Sequence, residues 1–524
     1  MALETRRVFP LRPQPAFRAF GLPLLLGLLW VGAASAAPQV TKPASKPAAD
    51  DAPPAKAEAV FPPIRVPMDG PAIDLSTLSL LASEPWEFPK DDGDALIGWI
   101  REKRGGMPED VRDLPQRGEA LEEVQRLVDN LLIAAWHHRK NFPEHAGSNE
   151  VLALICEFAG LNEARFVFSQ NARQKAEFGA NLAAPEVLDL VLRYYRPLVH
   201  LAVEGLTQST SKPEQSKFLD ALGVAHLSVG TRYAGAQGYD AAAVLRQTAA
   251  DYFALSIEFD PRPTYAIDNS IKLIDTLLAA GATDRAAAES RKFMTKWPES
   301  RYWPHVFYFL NKALRRGGRL TEALEAWKKY GPVLEAGANG EPLPEWHRPD
   351  GVAVPEEERM TYGLYGERNT FYLGFYEFAL GRTERALALL QQFTVEANEL
   401  EAEGRLQMPG KVFRDNMAFS LIDTLRNLVG KPAPKLELND GWVTPPPAKD
   451  DAKLTLVLFC DLSRAQTRHR ELFAVLNSVA SDYWGKGVRL RWVSAGSRRA
   501  EDHAEIQKQR MQQFAIGAGF VAPG

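Results

Sequence analysis

The sequence predicts a mainly α-helical protein: an array of helical hairpins followed by a small C-terminal α/β segment. Three observations predict it. Apolar residues recur at three- and four-residue steps from about residue 91 to 428, the signature of amphipathic helices. A Gly-x-x-x-x-Ala step recurs inside that span. After residue 428 two short apolar runs, 454–459 and 488–493, flank a helical stretch, the order of a β-α-β unit.

Taken in chain order, residues 1–36 read as a cleavable export signal. Arg6, Arg7, Arg12 and Arg18 make a positive leader, Phe20 to Val31 an apolar stretch, and Ala34-Ser35-Ala36 the small-residue pattern a signal peptidase accepts. The apolar run is shorter than the ~20 residues of a spanning helix and is broken by Pro23, which argues against an uncleaved anchor. Thr5-Arg6-Arg7-Val8-Phe9 resembles the twin-arginine export motif, an alternative route to the same destination, periplasmic or extracellular. Residues 37–63 are rich in Ala, Pro and Lys and have almost nothing to bury, so a disordered tether is expected there.

Residues 64–428 form the predicted helical domain. Leu121, Val124, Leu127, Val128, Leu131, Leu132 and Ala135 trace one helix face; Phe218, Leu219, Leu222, Ala225 and Leu227 trace another, and Ile271, Leu273, Ile274, Leu277 and Leu278 a third. Gly281 with Ala286, Gly318 with Ala323 and Gly381 with Ala386 share the Gly-to-Ala step, and Pro298 closes the first copy. Trp327 and Leu390 fill the large apolar slot of the second helix in the later two. Gly238 with Ala243 is a fourth, looser copy, closed late by Pro261. The pattern, over about residues 215–400, resembles the second half of a tetratricopeptide repeat, in which glycine opens the turn and alanine lets two helices approach. A non-repetitive bundle using the same turn chemistry is the alternative. An insertion rich in Gly, Pro and Glu is expected from about 331 to 369.

Residues 429–524 change character. Gly430-Lys431-Pro432-Ala433-Pro434 leads into the first apolar run, a helix carries Leu472, Val475, Leu476 and Val479, and Lys486-Gly487-Val488 opens the second run. Together these resemble the exported thioredoxin-like proteins of the thiol-disulfide reductase and redoxin type. That resemblance implies a C-x-x-C at the start of the helix, where the helix dipole lowers a thiol pKa. Here the two slots hold Arg464 and Thr467, or Ala465 and Arg468 in the other register, so the dithiol is missing. Cys460, just before the slots, is the only redox candidate, and a buried inert thiol is the plainer reading of it. The resemblance also implies a further hairpin with a cis-proline. Gly524 arrives after one more helix (about 504–514), so a truncated domain, a fragment, or a sheet completed by a partner is expected.

The remaining chemistry is sparse. With 524 residues, about two to four domains are expected. A net charge of -4 gives no reason to expect nucleic acid, and after signal cleavage no stable membrane span is expected. Cys156 and Cys460 are the only cysteines, too few for a disulfide scaffold, and Cys156 sits in an apolar helical run. His137-His138 with His145 cannot face one ion from one helix face and reads as a solvated helix end; no metal or cofactor site is expected. Asp50-Asp51 and Glu356-Glu357-Glu358 read as solvated acidic faces. The aromatic run Tyr302–Phe309 either packs between helices or lines a concave face. The expected function is an exported, non-catalytic scaffold whose helical array binds a protein or peptide, with the thioredoxin-like segment as a docking or structural module. The alternative is a thiol-disulfide oxidoreductase working through Cys460 or lacking its C-terminal part.

Overall fold

The computed structural model describes residues 61–75, 86–105, 119–178, 182–236, 239–348, 351–427, 429–431, 454–460 and 488–494. The predicted signal and all of the predicted tether before Phe61 lie outside them. The described chain is mainly helical, and its helices pack as sequential hairpins in two compact units, 61–282 and 283–431.

The first unit holds α1 (Gly93–Gly105), α2 (Glu119–Asn141), α3 (Ser148–Phe178), α4 (Ala184–Gln208), α5 (Lys212–Ala236), α6 (Tyr239–Phe259) and α7 (Pro263–Ala279). Neighbours in sequence are neighbours in space: α4 packs on α5, α5 on α6 and α6 on α7. The predicted helix faces are the buried ones, with Val128, Leu131, Leu132, Phe218, Leu222, Leu273, Ile274 and Leu277 all in the core. Helix α4 starts with Pro185 in its first turn, where no amide donor is needed, and the Glu186 carboxylate accepts the Ala183 N–H at 2.7 Å.

The second unit holds α8 (Thr283–Lys296), α9 (Trp303–Arg316), α10 (Leu320–Asn339), α11 (Glu356–Gly366), α12 (Asn369–Ala379), α13 (Thr383–Ala402), α14 (Met408–Val412), a π-helical turn (Phe413–Ala418) and α15 (Phe419–Asn427). Its core is aromatic. Trp327 stacks on Tyr372 with ring centroids 4.4 Å apart and meets the edge of Phe307 at 4.8 Å, while Phe371 meets Phe413 at 4.9 Å. The predicted insertion at 331–369 begins inside α10, which continues through Gly331 and Pro332, and contains α11.

The Gly-to-Ala step has a common geometry. Gly281, Gly318 and Gly381 have φ of 75°, 72° and 77°. After each, the next amide reaches back to the carbonyl five residues earlier: Ala282 to Leu277, Arg319 to Leu314, Arg382 to Glu377. Each glycine donates to the carbonyl three residues back, completing a double closure that needs a left-handed residue. Ala286, Ala323 and Ala386 are each fully buried. Nothing lies near a Cβ built on any of these three glycines, so conformation alone selects them. Gly318→Ala should therefore cost only about 1 kcal/mol, as left-handed strain, in a chemical denaturation midpoint.

The fourth copy is different. Gly238 lies outside the described residues, and the alanine that is fully buried is Ala242, with Ala243 half-buried. Close approach there is made by Gly230 of α5, whose Cβ would sit 3.1 Å from that of Leu245. The buried alanine thus lies one residue before the predicted one, and α5 adds a small residue of its own to the contact.

Strands β1 (Leu454–Cys460) and β2 (Val488–Ser494) pair in parallel, Leu454 opposite Val488 and Cys460 opposite Ser494. A parallel pair requires a long crossover; residues 461–487, which supply it, lie outside the described residues. Among the described residues no helix is long and apolar enough to cross a membrane.

Candidate functional site

In the second unit, side chains of α9 and the α11–α12 junction meet on one face. Along α9, His305, Tyr308, Lys312 and Arg315 follow helical spacing and are all half-buried. The His305 Nδ1 lies 2.8 Å from the Tyr365 hydroxyl, and Tyr308 stacks on Tyr365 at 5.4 Å. Arg368, nearly fully buried, places its guanidinium 5.2 Å from the Tyr365 ring centre and 4.9 Å from that of Phe413. Its Nη2 donates to the Leu364 carbonyl, while its Nε has no acceptor.

Arg315 Nη1 is likewise buried without an acceptor. Among the described residues neither guanidinium has a carboxylate within ion-pair distance; Glu367, next in sequence to Arg368, turns its carboxylate to the Gln407 N–H at 3.3 Å. Burial raises the Glu367 pKa, which weakens it further as a counter-charge. Burying a guanidinium without a paired anion is costly; the Tyr365 and Phe413 rings offset part of that cost at Arg368, whereas Arg315 stays half-buried at the surface.

In the first unit, residues 61–75 run as an extended strap over α4, α5 and α6. The Tyr252 hydroxyl donates to the Pro62 carbonyl at 2.6 Å. The Arg65 N–H donates to His226 Nε2 at 2.9 Å, while His226 Nδ1 lies 2.7 Å from the Leu222 carbonyl, so Nδ1 carries the proton. Arg196 donates from Nε to Pro67 O (3.0 Å) and from Nη1 to Pro71 O (2.7 Å). Burial lowers the His226 pKa to about 4, keeping the ring neutral and Nε2 an acceptor. The predicted tether ends at Pro63, yet Phe61 packs edge-on to Phe259 at 6.3 Å and Pro62 is held; docking begins earlier because Tyr252 and Phe259 offer a hydroxyl and a ring there.

The predicted chemistry is distributed as follows. Cys460 is the last residue of β1; Arg464, Thr467, Ala465 and Arg468 lie outside the described residues. Cys156 is a free, buried thiol on α3 whose pKa burial pushes up to about 12. In native protein at pH 8 it should resist alkylation and react only after unfolding; labelling of native Cys156 within minutes would contradict that. Of the acidic run, Glu358 is not purely solvated but pairs with Arg348 at 2.5 Å.

The histidine pair is not a solvated helix end. His137 lies on the surface side with Nε2 2.9 Å from the Lys90 carbonyl, but His138 is fully buried against Phe142 and His145. The loop after α2 folds back over it, which periodicity alone does not reveal. Among the described residues no group of metal-ligating side chains converges. Tyr302–Phe309 resolves into core: Trp303, Val306 and Phe307 are fully buried, with only Tyr302, His305 and Tyr308 reaching the surface.

No protein-family model matches this chain, and no curated protein matches it.

Proposed function

We propose that this chain is an exported, non-catalytic binding scaffold whose helical-hairpin array engages a protein or peptide. The observation that carries the reading is the face of α9 and α11–α12, where Arg315 and Arg368 keep buried donor groups without acceptors or carboxylate partners. Arg315 is half-buried and has no carboxylate partner among the described residues, so carbonyl and carboxylate oxygens of a polypeptide can pair with its guanidinium, and Tyr308 and His305 offer half-buried aromatic surface on the same helix face. The leader at residues 1–36 supports export. The parallel β1–β2 pair supports a thioredoxin-like segment in the C-terminal part, and the missing C-x-x-C supports a docking or structural role for it.

The test is capture of a defined partner from an envelope extract by the wild-type protein and by Arg315→Met. A partner retained at least ten-fold better by wild type, with unchanged circular dichroism, supports the scaffold reading. Equal retention removes the α9 face from it. Alkylation of Cys460 at neutral pH together with insulin-reduction turnover would replace it with the oxidoreductase reading.

A further inference from the structure

The strap is held in an unusual way for an internal segment. Tyr252 and Arg196, on α6 and α4, read the carbonyls of Pro62, Pro67 and Pro71 with side chains. The strap's own N–H groups go to a histidine nitrogen at Arg65 and to the Arg193 carbonyl at Ile73. That last acceptor exists because α4 contains Pro197, which has no N–H to return to the carbonyl four residues before it. The helix gives up one internal hydrogen bond, and the strap fills the vacancy at 3.1 Å.

The ligand side is equally specific. Pro62, Pro63, Pro67 and Pro71 have no donors to leave unmet and favour the extended conformation in advance. Val66 and Leu75 are the buried anchors, whereas Pro63, Ile64, Arg65, Asp69 and Asp74 face solvent. Gly70 has φ of 111°, and a Cβ there would come 3.0 Å from Arg196 Nη1, so the guanidinium lies flat against bare backbone. Where a sheet edge binds an extended peptide, main-chain hydrogen bonds give affinity and side-chain pockets give specificity; here side chains of α4, α5 and α6 take the place of the sheet edge.

We infer that the α4–α6 face is a peptide-binding groove that the chain fills with its own residues 61–75, and that it accepts in trans an extended segment of the same chemistry. The pattern it reads is an apolar residue followed by proline, then a glycine and a second proline, with a free N–H two residues beyond (Val66-Pro67-Met68-Asp69-Gly70-Pro71-Ala72-Ile73 in this chain). This rests on the peptide-binding reading but uses a different face from that at Arg315.

The probe is a fluorescein-labelled peptide of residues 61–75, titrated by fluorescence anisotropy into the full-length protein. In Val66→Asp the tethered strap loses its anchor, and the peptide should bind at least ten-fold tighter than to wild type. Adding Arg196→Met to that variant, or carrying Gly70→Ala in the peptide, should cost ten-fold or more. Arg65→Pro, which removes the donor to His226 while leaving Val66 intact, is the second opened form and should also gain affinity. The inference fails if neither opened variant binds the peptide more tightly than wild type. It fails equally if both lose their helical circular dichroism, since the strap is then a part of the core. A negative result alongside partner capture that depends on Arg315 leaves the scaffold reading standing and removes only this groove.

Discussion

Trp327→Ala should destabilise the second unit by about 3–5 kcal/mol, the range for removing a buried tryptophan. Trp327 is fully buried and occupies the large-residue position after the Gly318 turn. One face of its indole stacks on Tyr372, with planes 17° apart, and its edge meets Phe307, so truncation strips contacts from α9 and α12 together. The indole Nε1 has no hydrogen-bond partner among the described residues, so truncation breaks no hydrogen bond and its cost is one of packing. Leu390, the matching position after Gly381, is also fully buried, yet Leu390→Ala removes fewer atoms and should cost about 2–4 kcal/mol. Thermal denaturation of the two variants, followed by circular dichroism, gives the order. An Ala variant of Trp327 that melts with wild type would mean that the aromatic stack does not hold this unit together.

The helical hairpins are legible in sequence because each is written locally. A glycine that must be left-handed, an alanine five residues on and a large residue four further on lie within one turn and one helix, so spacing suffices for Gly318, Ala323 and Trp327. At the α5–α6 contact the spacing says less, because close approach of two helices can be arranged from either partner, and Gly230 of α5 contributes to it. The strap escapes periodicity altogether. The tether is expected to end at Pro63, and no pattern singles out Pro67 or Pro71; only partners on α4, α5 and α6, more than a hundred residues away, make residues 61–75 one structural segment. One local signal was present: Pro197 in the middle of an otherwise regular apolar pattern leaves a carbonyl to be satisfied by something outside the helix. The face at Arg315 and Arg368 is hidden for a related reason. Arg315 is ordinary in α9 and Arg368 is ordinary at the junction of α11 and α12, and their lack of counter-charges is a property of the packed unit. Burial of His138 likewise depends on a loop closing over α2.

Acid should loosen both units, through one histidine in each. His226 and His347 are fully buried, and burial lowers each pKa from the ordinary 6.5 to about 4. For His347 the neighbouring Arg348 acts in the same direction. In the unfolded chain both rings take up a proton near pH 6.5, while the folded units refuse it until about pH 4. Between those values the unfolded state binds more protons, so stability is full above about pH 6.5 and falls as the pH drops toward 4. A shift of this size corresponds to about 3 kcal/mol per site at the acid limit. At His226 the structural reason is direct: a proton on Nε2 sets two donors, the ring and the Arg65 N–H, against each other across 2.9 Å. At His347 the ring lies 2.8 Å from the Tyr362 hydroxyl and 4.4 Å from Trp303, with Nδ1 buried and unpartnered, so a charged ring has little to stabilise it. His226→Gln keeps an acceptor within reach of the strap without a titrating group, and should flatten the loss of stability between pH 6.5 and 4 in denaturant melts that report on the first unit. His347→Gln should do the same for the second, read by tryptophan fluorescence. If both variants keep the wild-type slope, the carboxylates and not these rings govern the acid response.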